Sequence, residues 1–434
     1  MIPRLPTILV ALGLPLAAAA APTTEPSLES QVQALQPKVV AHRRHFHQHP
    51  ELSNREVETA KYLARQLKAM GLDVQTGIAH TGVVAVLRGG RPGPVVALRA
   101  DMDALPVTEE VDVPFKSTVR ARYDGKDVGV MHACGHDGHM AILLGVAELL
   151  VARRAGLAGT VKFIFQPAEE SPPAGEEGGA QLMVAQGVLR TDPKPEVIFG
   201  LHLLSGYESG RVGYRSGGIM ASADDLRIVV HGKQTHGAAP WLGVDPIVVA
   251  SQIVLGLQTI PSRQMDSTKA PVIVTIGKIE GGVRDNIIPD RVEMKGTLRA
   301  LDEAMRQDLH ARVKRTVEST AAAAGARAEF HVSERHAYPV TYNDPALMAR
   351  MLPGLQARFG ERLFEAQPIL GAEDFSYFQR EIPGLYLFVG IRPPGVKPED
   401  FPSNHSPKFT MDEAALATGV QTLAGLTLDY LGMR

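Results

Sequence analysis

Four short apolar runs, 83–87, 95–98, 161–165 and 197–201, constrain this chain more than any other feature. Each is too short for a globular helix and too continuously apolar for a strand with one wet face, so each reads as a strand buried on both sides. Helical stretches lie between them, among them 141–152. Upstream, residues 31–70 read as two helices broken at His49-Pro50, the second carrying Val57, Ala60, Leu63, Ala64 and Leu67 at helical spacing. Buried strands alternating with helices predict an α/β sandwich around a largely parallel sheet. The pattern changes near Arg215. Strand-like 226–230 and 272–276 then alternate with helix-like 246–260 and 304–322, in the order of a small ferredoxin-like α+β module. After about Val332 the α/β character returns. The expected organisation is one α/β domain in two parts, 30–215 and 332–434, split by an inserted α+β domain, 216–331. A chain of 434 residues is too long for one ordinary core, which agrees.

The N-terminus has a different character. One positive charge at Arg4 precedes an apolar stretch, 5–21, that ends in alanines and gives way to polar residues. This is the pattern of a signal peptide, 1–21, and predicts a periplasmic or secreted protein. The stretch is shorter than the roughly 20 residues a membrane span requires, so no membrane association is expected after cleavage. The formal net charge of −2 gives no electrostatic reason to expect nucleic acid as a partner. Cys134 is the single cysteine, so no disulfide framework exists. A lone thiol in an oxidising compartment calls for burial or a metal.

Its neighbourhood favours the metal. In Met131-His-Ala-Cys-Gly-His-Asp-Gly-His139, Cys134 and His136 flank a glycine, a turn that can aim a thiolate and an imidazole at one point. His139 reads either as a third ligand or as a structural residue. In Phe163-Ile-Phe-Gln-Pro-Ala-Glu-Glu170 a buried strand runs out into two adjacent acids. Adjacent side chains diverge, so one acid can ligate while the other accepts a proton from water. The segment 171–179 is a loop. A third apolar strand ends at His202, and His405 lies in the turn Ser403-Asn-His-Ser-Pro407. Five donors exceed one tetrahedral site with an open position but suit two metals about 3.5–4 Å apart. His42, His45, His47 and His49 invite a metal reading too, which is rejected: His47 points away from the others on a helix, and no acid or thiolate is interleaved.

These stretches run in an order that resembles the M20 family of metallopeptidases, and within it the amidohydrolase branch of hippurate hydrolase, N-acyl-amino-acid amidohydrolase and the plant auxin-conjugate hydrolases. The resemblance also rests on Arg43-Arg-His-Phe-His-Gln-His-Pro-Glu-Leu52, Arg99-Ala-Asp-Met-Asp-Ala-Leu-Pro106, His236-Gly-Ala-Ala-Pro240 with Gly243-Val-Asp-Pro246, Asn286-Ile-Ile-Pro289 and Gly371-Ala-Glu-Asp-Phe375. It implies a catalytic α/β sandwich whose inserted domain serves as lid and dimerisation module. It implies Cys134, His136, Glu170, His202 and His405 as ligands of two divalent metals, with Glu169 as general base. Zinc suits the donors best, with manganese, cobalt and nickel as alternatives. His236 would reach the substrate carbonyl, in many relatives from the partner subunit of a homodimer. Asn286 would help bind substrate. Arg299 would meet the substrate carboxylate, unless it is only an arginine on the lid surface. The wider family has a metal-binding His two residues before an Asp; here that segment reads Asp101-Met-Asp103, which leaves Asp101 and Asp103 to orient a ligand. Trp241 stands where a polar residue is commoner, which points to a different substrate preference.

The resulting expectation is a dinuclear hydrolase that cleaves the amide bond of N-acyl or aminoacyl amino acids. The alternatives are a metallo-carboxypeptidase or dipeptidase on the same scaffold and a binding protein without activity. A serine hydrolase is disfavoured because Gly-x-Ser-x-Gly does not occur.

Overall fold

The computed structural model describes residues 26–333 and 337–433, with Met1 and Pro3. The leader expected at 1–21 otherwise lies outside the described residues. In chain order the first part holds α1 (Leu28–Gln48), α2 (Val57–Ala69), β1 (Asp73–Ile78), β2 (Gly82–Arg88), β3 (Arg91–Asp101), β4 (Arg120–Tyr123), β5 (Lys126–Gly129), α3 (His136–Ala152), β6 (Ala158–Gln166), α4 (Gly179–Ala185), β7 (Val197–Glu208), β8 (Val212–Tyr214) and β9 (Gly217–Met220). There follow β10 (Asp224–His231), β11 (Thr235–His236), α5 (Pro246–Thr259), β12 (Val272–Gly281), β13 (Ile287–Ile288), β14 (Arg291–Ala300), α6 (Glu303–Ala323) and β15 (Arg327–Val332). The last part holds β16 (Thr341–Asn343), α7 (Pro345–Phe359), β17 (Leu363–Glu365), α8 (Ser376–Gln379), β18 (Gly384–Arg392) and α9 (Ala415–Tyr430).

Eight strands form the large sheet, in the order β1-β2-β6-β3-β7-β18-β8-β17. Its centre is parallel, β6 to β3 to β7 to β18, as buried apolar runs require. The sheet as a whole is mixed rather than largely parallel. β1 and β2 add antiparallel at one edge, and β8 runs antiparallel to β18. The alternation of side chains sorts the core into two layers. Val83, Leu98, Phe163, Phe199 and Leu387 pack under α1, α3 and α9, whereas Val84, Ala97, Ile164, Ile198 and Phe388 pack under α4 and α8. Each such apolar side chain taken fully out of water contributes about 1.5–3 kcal/mol.

The inserted segment builds a separate antiparallel sheet, β12-β14-β10-β15, with its own core. Leu226, Ile228, Val230, Val292 and Met294 face Ile253 and Leu257 of α5 and Leu309, Val313 and Val317 of α6. Asp245 caps α5 by accepting the Ile247 and Val248 amides, and Pro246 begins it. A short ribbon, β11 with β13, stands apart from this sheet.

Candidate metal centre

The carboxyl ends of β3 and β6 meet the first turn of α3 at one rim, the place where open α/β sheets build sites, and there His202 stands within β7, which runs on to Glu208 rather than ending at the histidine as expected. Gly135 joins Cys134 to α3 at φ 105°, a left-handed conformation that glycine adopts without strain. Cys134 therefore points off the turn beside His136, the first residue of the helix. The Cys134 Sγ lies 3.4 Å from His202 Nε2 and 3.2 Å from His405 Nε2. His405 Nε2 is in turn 3.1 Å from Glu170 Oε1, and His136 Nε2 is 3.8 Å from Glu169 Oε2. Cys134 with His136 and His202, Cys134 with Glu170 and His405, and His136 with Glu169 and Glu170 form three overlapping groups, the donor atoms of each within 4.8 Å of one another. The five expected ligands and the expected base are thus brought together.

What lies behind them fixes their orientation. His136 Nδ1 donates to the Asp103 carbonyl at 2.8 Å and His202 Nδ1 to the Leu203 carbonyl at 2.9 Å, so each imidazole turns its Nε2 toward the cluster. His139 is no ligand. Its Nδ1 donates to Asp101 at 2.6 Å and its Nε2 accepts the Leu203 amide at 2.9 Å, which occupies both nitrogens. Asn404 ties the His405 turn to the rest, donating to the Cys134 and Leu203 carbonyls and accepting the Ser205 amide. His405 itself is left-handed, φ 70°.

The turn bearing the two acids is strained in the same way. Ala168 and Ser171, on either side of Glu169 and Glu170, have φ 54° and 80°. Such residues cost about 1–3 kcal/mol each unless their surroundings hold them. Here the holders are carboxylates: Glu56 accepts the Ala168 amide at 2.9 Å, and Asp103 accepts the amides of Glu169 and Glu170 at 3.1 and 2.9 Å. Asp103 thus places both acids and, through its carbonyl, His136.

Behind Glu169 lies a buried guanidinium, Arg99, which donates to Asp101 at 2.7 Å, Glu373 at 2.9 Å, Asp374 at 3.0 Å and Gln166 at 2.8 Å. Tyr386 donates to Glu373 at 2.5 Å. None of Arg99, Glu373, Asp374, Tyr338 or Asn404 was assigned a role from sequence. A charged pair inside an apolar run, Leu98-Arg-Ala-Asp101, is the available signal for the buried hub.

The electrostatics follow from this crowding. Burial, then Glu373 and Glu170, push the Glu169 carboxyl well above the usual range. Burial, then Glu170 and Glu169, push the Cys134 thiol up. Burial lowers His136, but Asp101 and Asp103 outweigh it and raise the imidazole to about 10. Burial, then His139, hold His202 well below its ordinary value. Among the described residues the buried His136 Nε2 has no hydrogen-bond partner. An orphaned imidazole nitrogen beside a thiol, further imidazoles and carboxylates fits divalent cations of borderline softness.

The centre opens into a cavity of about 730 Å³ lined by metal-centre residues on one side and by Leu204, Met220, Ile369 and Leu370 on another. Arg299 of β14 reaches it and is the one Arg or Lys among the described lining residues. His236 and Asn286 do not line it. His236 pairs with Ile287 across the β11–β13 ribbon, Asn286 lies just before β13 where its carbonyl accepts the Gly237 amide at 2.8 Å, and both are exposed. The rejected histidine series behaves as spaced: His45 stacks on Tyr62, whereas His47 turns inward between Asp137 and Glu109. Among the described residues none of the four joins a metal-capable group.

Overlapping groups of a thiol, imidazoles and carboxylates at the rim of an α/β sheet define a metal-dependent hydrolase. Comparison with known proteins gives the family. Residues 97–429 match the peptidase family M20/M25/M40, and the chain belongs to it. Over 93% of its length the chain is 42% identical to thermostable carboxypeptidase 2 of Saccharolobus solfataricus, of which 98% is covered. It is 38% identical to an N-acetylcysteine deacetylase of Bacillus subtilis, over 92% of this chain and 98% of that one. The solved structure of the Bacillus subtilis YXEP protein, described as a dinuclear metal-binding peptidase of the M20 family, superposes with a TM-score of 0.77 at 36% identity, covering 93% of this chain and 99% of that one.

Proposed function

We propose that this protein hydrolyses the amide bond of N-acyl amino acids, releasing the free amino acid, with Cys134, His136, Glu170, His202 and His405 holding two divalent cations. The observation that carries this reading is the division of labour between two neighbouring acids. Glu170 joins both the group with Cys134 and His405 and the group with His136, while Glu169, buried at 6% exposed, is absent from the Cys134 group and lies instead with His136 and with Glu373 and Asp374. Two cations bound there would supply Lewis acidity and lower the proton affinity of a water between them. Two cations beside it would offset the burial and neighbouring acids that raise the Glu169 carboxyl, and as a carboxylate Glu169 takes a proton from the attacking water and returns it to the departing nitrogen. Arg299 pairs with the carboxylate of the amino-acid half, and the apolar wall of Leu204, Met220, Ile369 and Leu370 accepts an apolar portion of the substrate. Zinc is the proposed native metal on the evidence of the thiolate and imidazoles.

His236 completes the site by stabilising the carbonyl oxygen, and its remoteness from the cavity favours delivery by a second copy. A surface suited to that lies on the lid. Edge strand β12 and helix α5 present Ile279 and Ile247 as exposed apolar neighbours, and α5 exposes Val248 and Leu255 as well. The apolar stretch at 5–21 supports export to the periplasm or outside the cell. No helix among the described residues is long and apolar enough to cross a membrane.

A second reading, carboxypeptidase or dipeptidase action, is favoured by the similarity to a carboxypeptidase. A panel of N-acetyl, N-benzoyl and dipeptide substrates, assayed with zinc and with manganese, decides between them. Turnover of dipeptides alone overturns the proposal.

A further inference from the structure

The strained turn around Glu169 is held from three directions, and one of them is not part of the metal centre. Glu56 and Asp103 hold its amides from within the α/β domain. The Glu169 carbonyl is held by Tyr338, whose hydroxyl donates to it at 2.7 Å and takes a second bond from Ser171 at 3.2 Å. Tyr338 lies on the segment by which the chain returns from the lid, and its backbone pairs in both directions with Ala223, on the segment by which the chain enters it, at 2.8 and 2.9 Å. The next residue, Ser222, is bonded to Ala300 at the end of β14. Tyr338 also lines the cavity. One phenol therefore joins the domain crossing, the substrate cavity and the backbone of the acid turn.

We propose that Tyr338 is a positioning residue that makes the placement of Glu169 depend on the crossing between the two domains. The inference rests on the reading of Glu169 as general base. A rotation at the crossing moves the Tyr338 hydroxyl, and the hydroxyl carries the Glu169 carbonyl with it. A misplacement of about 1 Å in a catalytic group is enough to change turnover by about a hundredfold.

The test uses full-length Tyr338→Phe, Glu169→Gln and the double variant, each loaded with zinc. Tyr338→Phe is expected to lower kcat roughly tenfold to a hundredfold. KM should change far less, and metal content and Tm should match the parent. In the Glu169→Gln background the same substitution is expected to cost nothing more, because the group it positions is gone. Normal kcat in Tyr338→Phe, a loss confined to KM, or a full multiplicative loss in the double variant each overturns the inference. A parallel loss of metal or of Tm also overturns it, since the hydroxyl is then only a structural strut. Near-normal kcat in Glu169→Gln alone overturns the base assignment and this inference with it. Normal kcat in Tyr338→Phe alone leaves that assignment standing.

Discussion

At the rim of the large sheet every proposed chemical group is held from behind. The imidazoles of His136 and His202 are fixed by carbonyls, the two acids by Asp103, and the His405 turn by Asn404. On the inserted domain His236 and Asn286 ride a two-residue ribbon, exposed and outside the cavity. The contrast separates two tasks. Donors that bring a thiolate, imidazoles and carboxylates within a few ångströms repel or desolvate one another, and only a rigid scaffold holds them. Groups that meet the substrate after it binds are carried on surfaces that another surface completes.

The sharpest test of that separation is the acid pair. Glu169→Gln should lower kcat by about 10²–10⁴-fold and keep its metal, as expected for loss of a general base. Glu170→Ala should lose metal as well as turnover. Steady-state kinetics with metal analysis reads both, and near-normal kcat in metal-loaded Glu169→Gln would break the division of labour.

The rigid half should also depend on its buried cation. Arg99→Met leaves Asp101, Glu373 and Asp374 buried without their guanidinium. Breaking a buried pair in this way costs about 3–5 kcal/mol. Urea denaturation of the parent and the variant measures it, and a loss below about 1 kcal/mol, the worth of an ordinary surface ion pair, would show that the hub is not what holds the rim.

For the lid half the expectation is the reverse, turnover lost with stability intact. His236→Ala should lower kcat by about 10²–10³-fold, the worth of one oxyanion donor. Metal content and Tm should not move. Mixing and refolding it with Glu169→Gln should restore activity in hybrid dimers, because one intact base can meet one intact imidazole. A mixture no more active than the sum of its parts would mean that His236 does not act across subunits.

The same contrast explains what was legible in the sequence. Buried strands were, because two-sided burial demands continuous apolar runs, as in β6 and β7. β1, at the sheet edge with an exposed face, carries no such run. The proposed ligands were legible because metal chemistry restricts which residues can serve, although only the acid pair follows directly on a strand end while His202 lies within β7 and His405 in a turn. The supports were not. Arg99 is hidden in an apolar strand, Asn404 and Tyr338 act through backbone carbonyls, and Asp374 meets Arg99 from 275 residues away, a contact no local pattern encodes. His139 was open between ligand and support until both of its nitrogens were seen to be occupied.

The smallest expected effect is acid sensitivity of the lid. Asp224, at the start of β10, accepts Arg306 at 2.6 and 2.9 Å, and His310 Nε2 lies 3.1 Å away. Burial pushes its carboxyl up, but the bonds from His310 and Arg306 outweigh this and hold it below the ordinary value. In the unfolded chain an aspartate titrates near about 3.9. The unfolded state therefore binds the proton first, so this contribution is fully present above about pH 5 and is lost as pH falls through the folded value. One group changes stability by at most about 1.4 kcal/mol per pH unit. Around Arg99 the carboxyls move in opposite directions, Asp101 well below and Asp374 well above the usual range, so acid does not act on that half with a single sign. Hydrogen exchange in β10 and α6 should accelerate between pH 5 and pH 3 before exchange in β6 and β7 does, after correction for the intrinsic rate. Asp224→Asn should exchange faster than the parent at pH 7 and show a flatter acid response. If both regions lose protection together in the parent, the lid is not the acid-labile half.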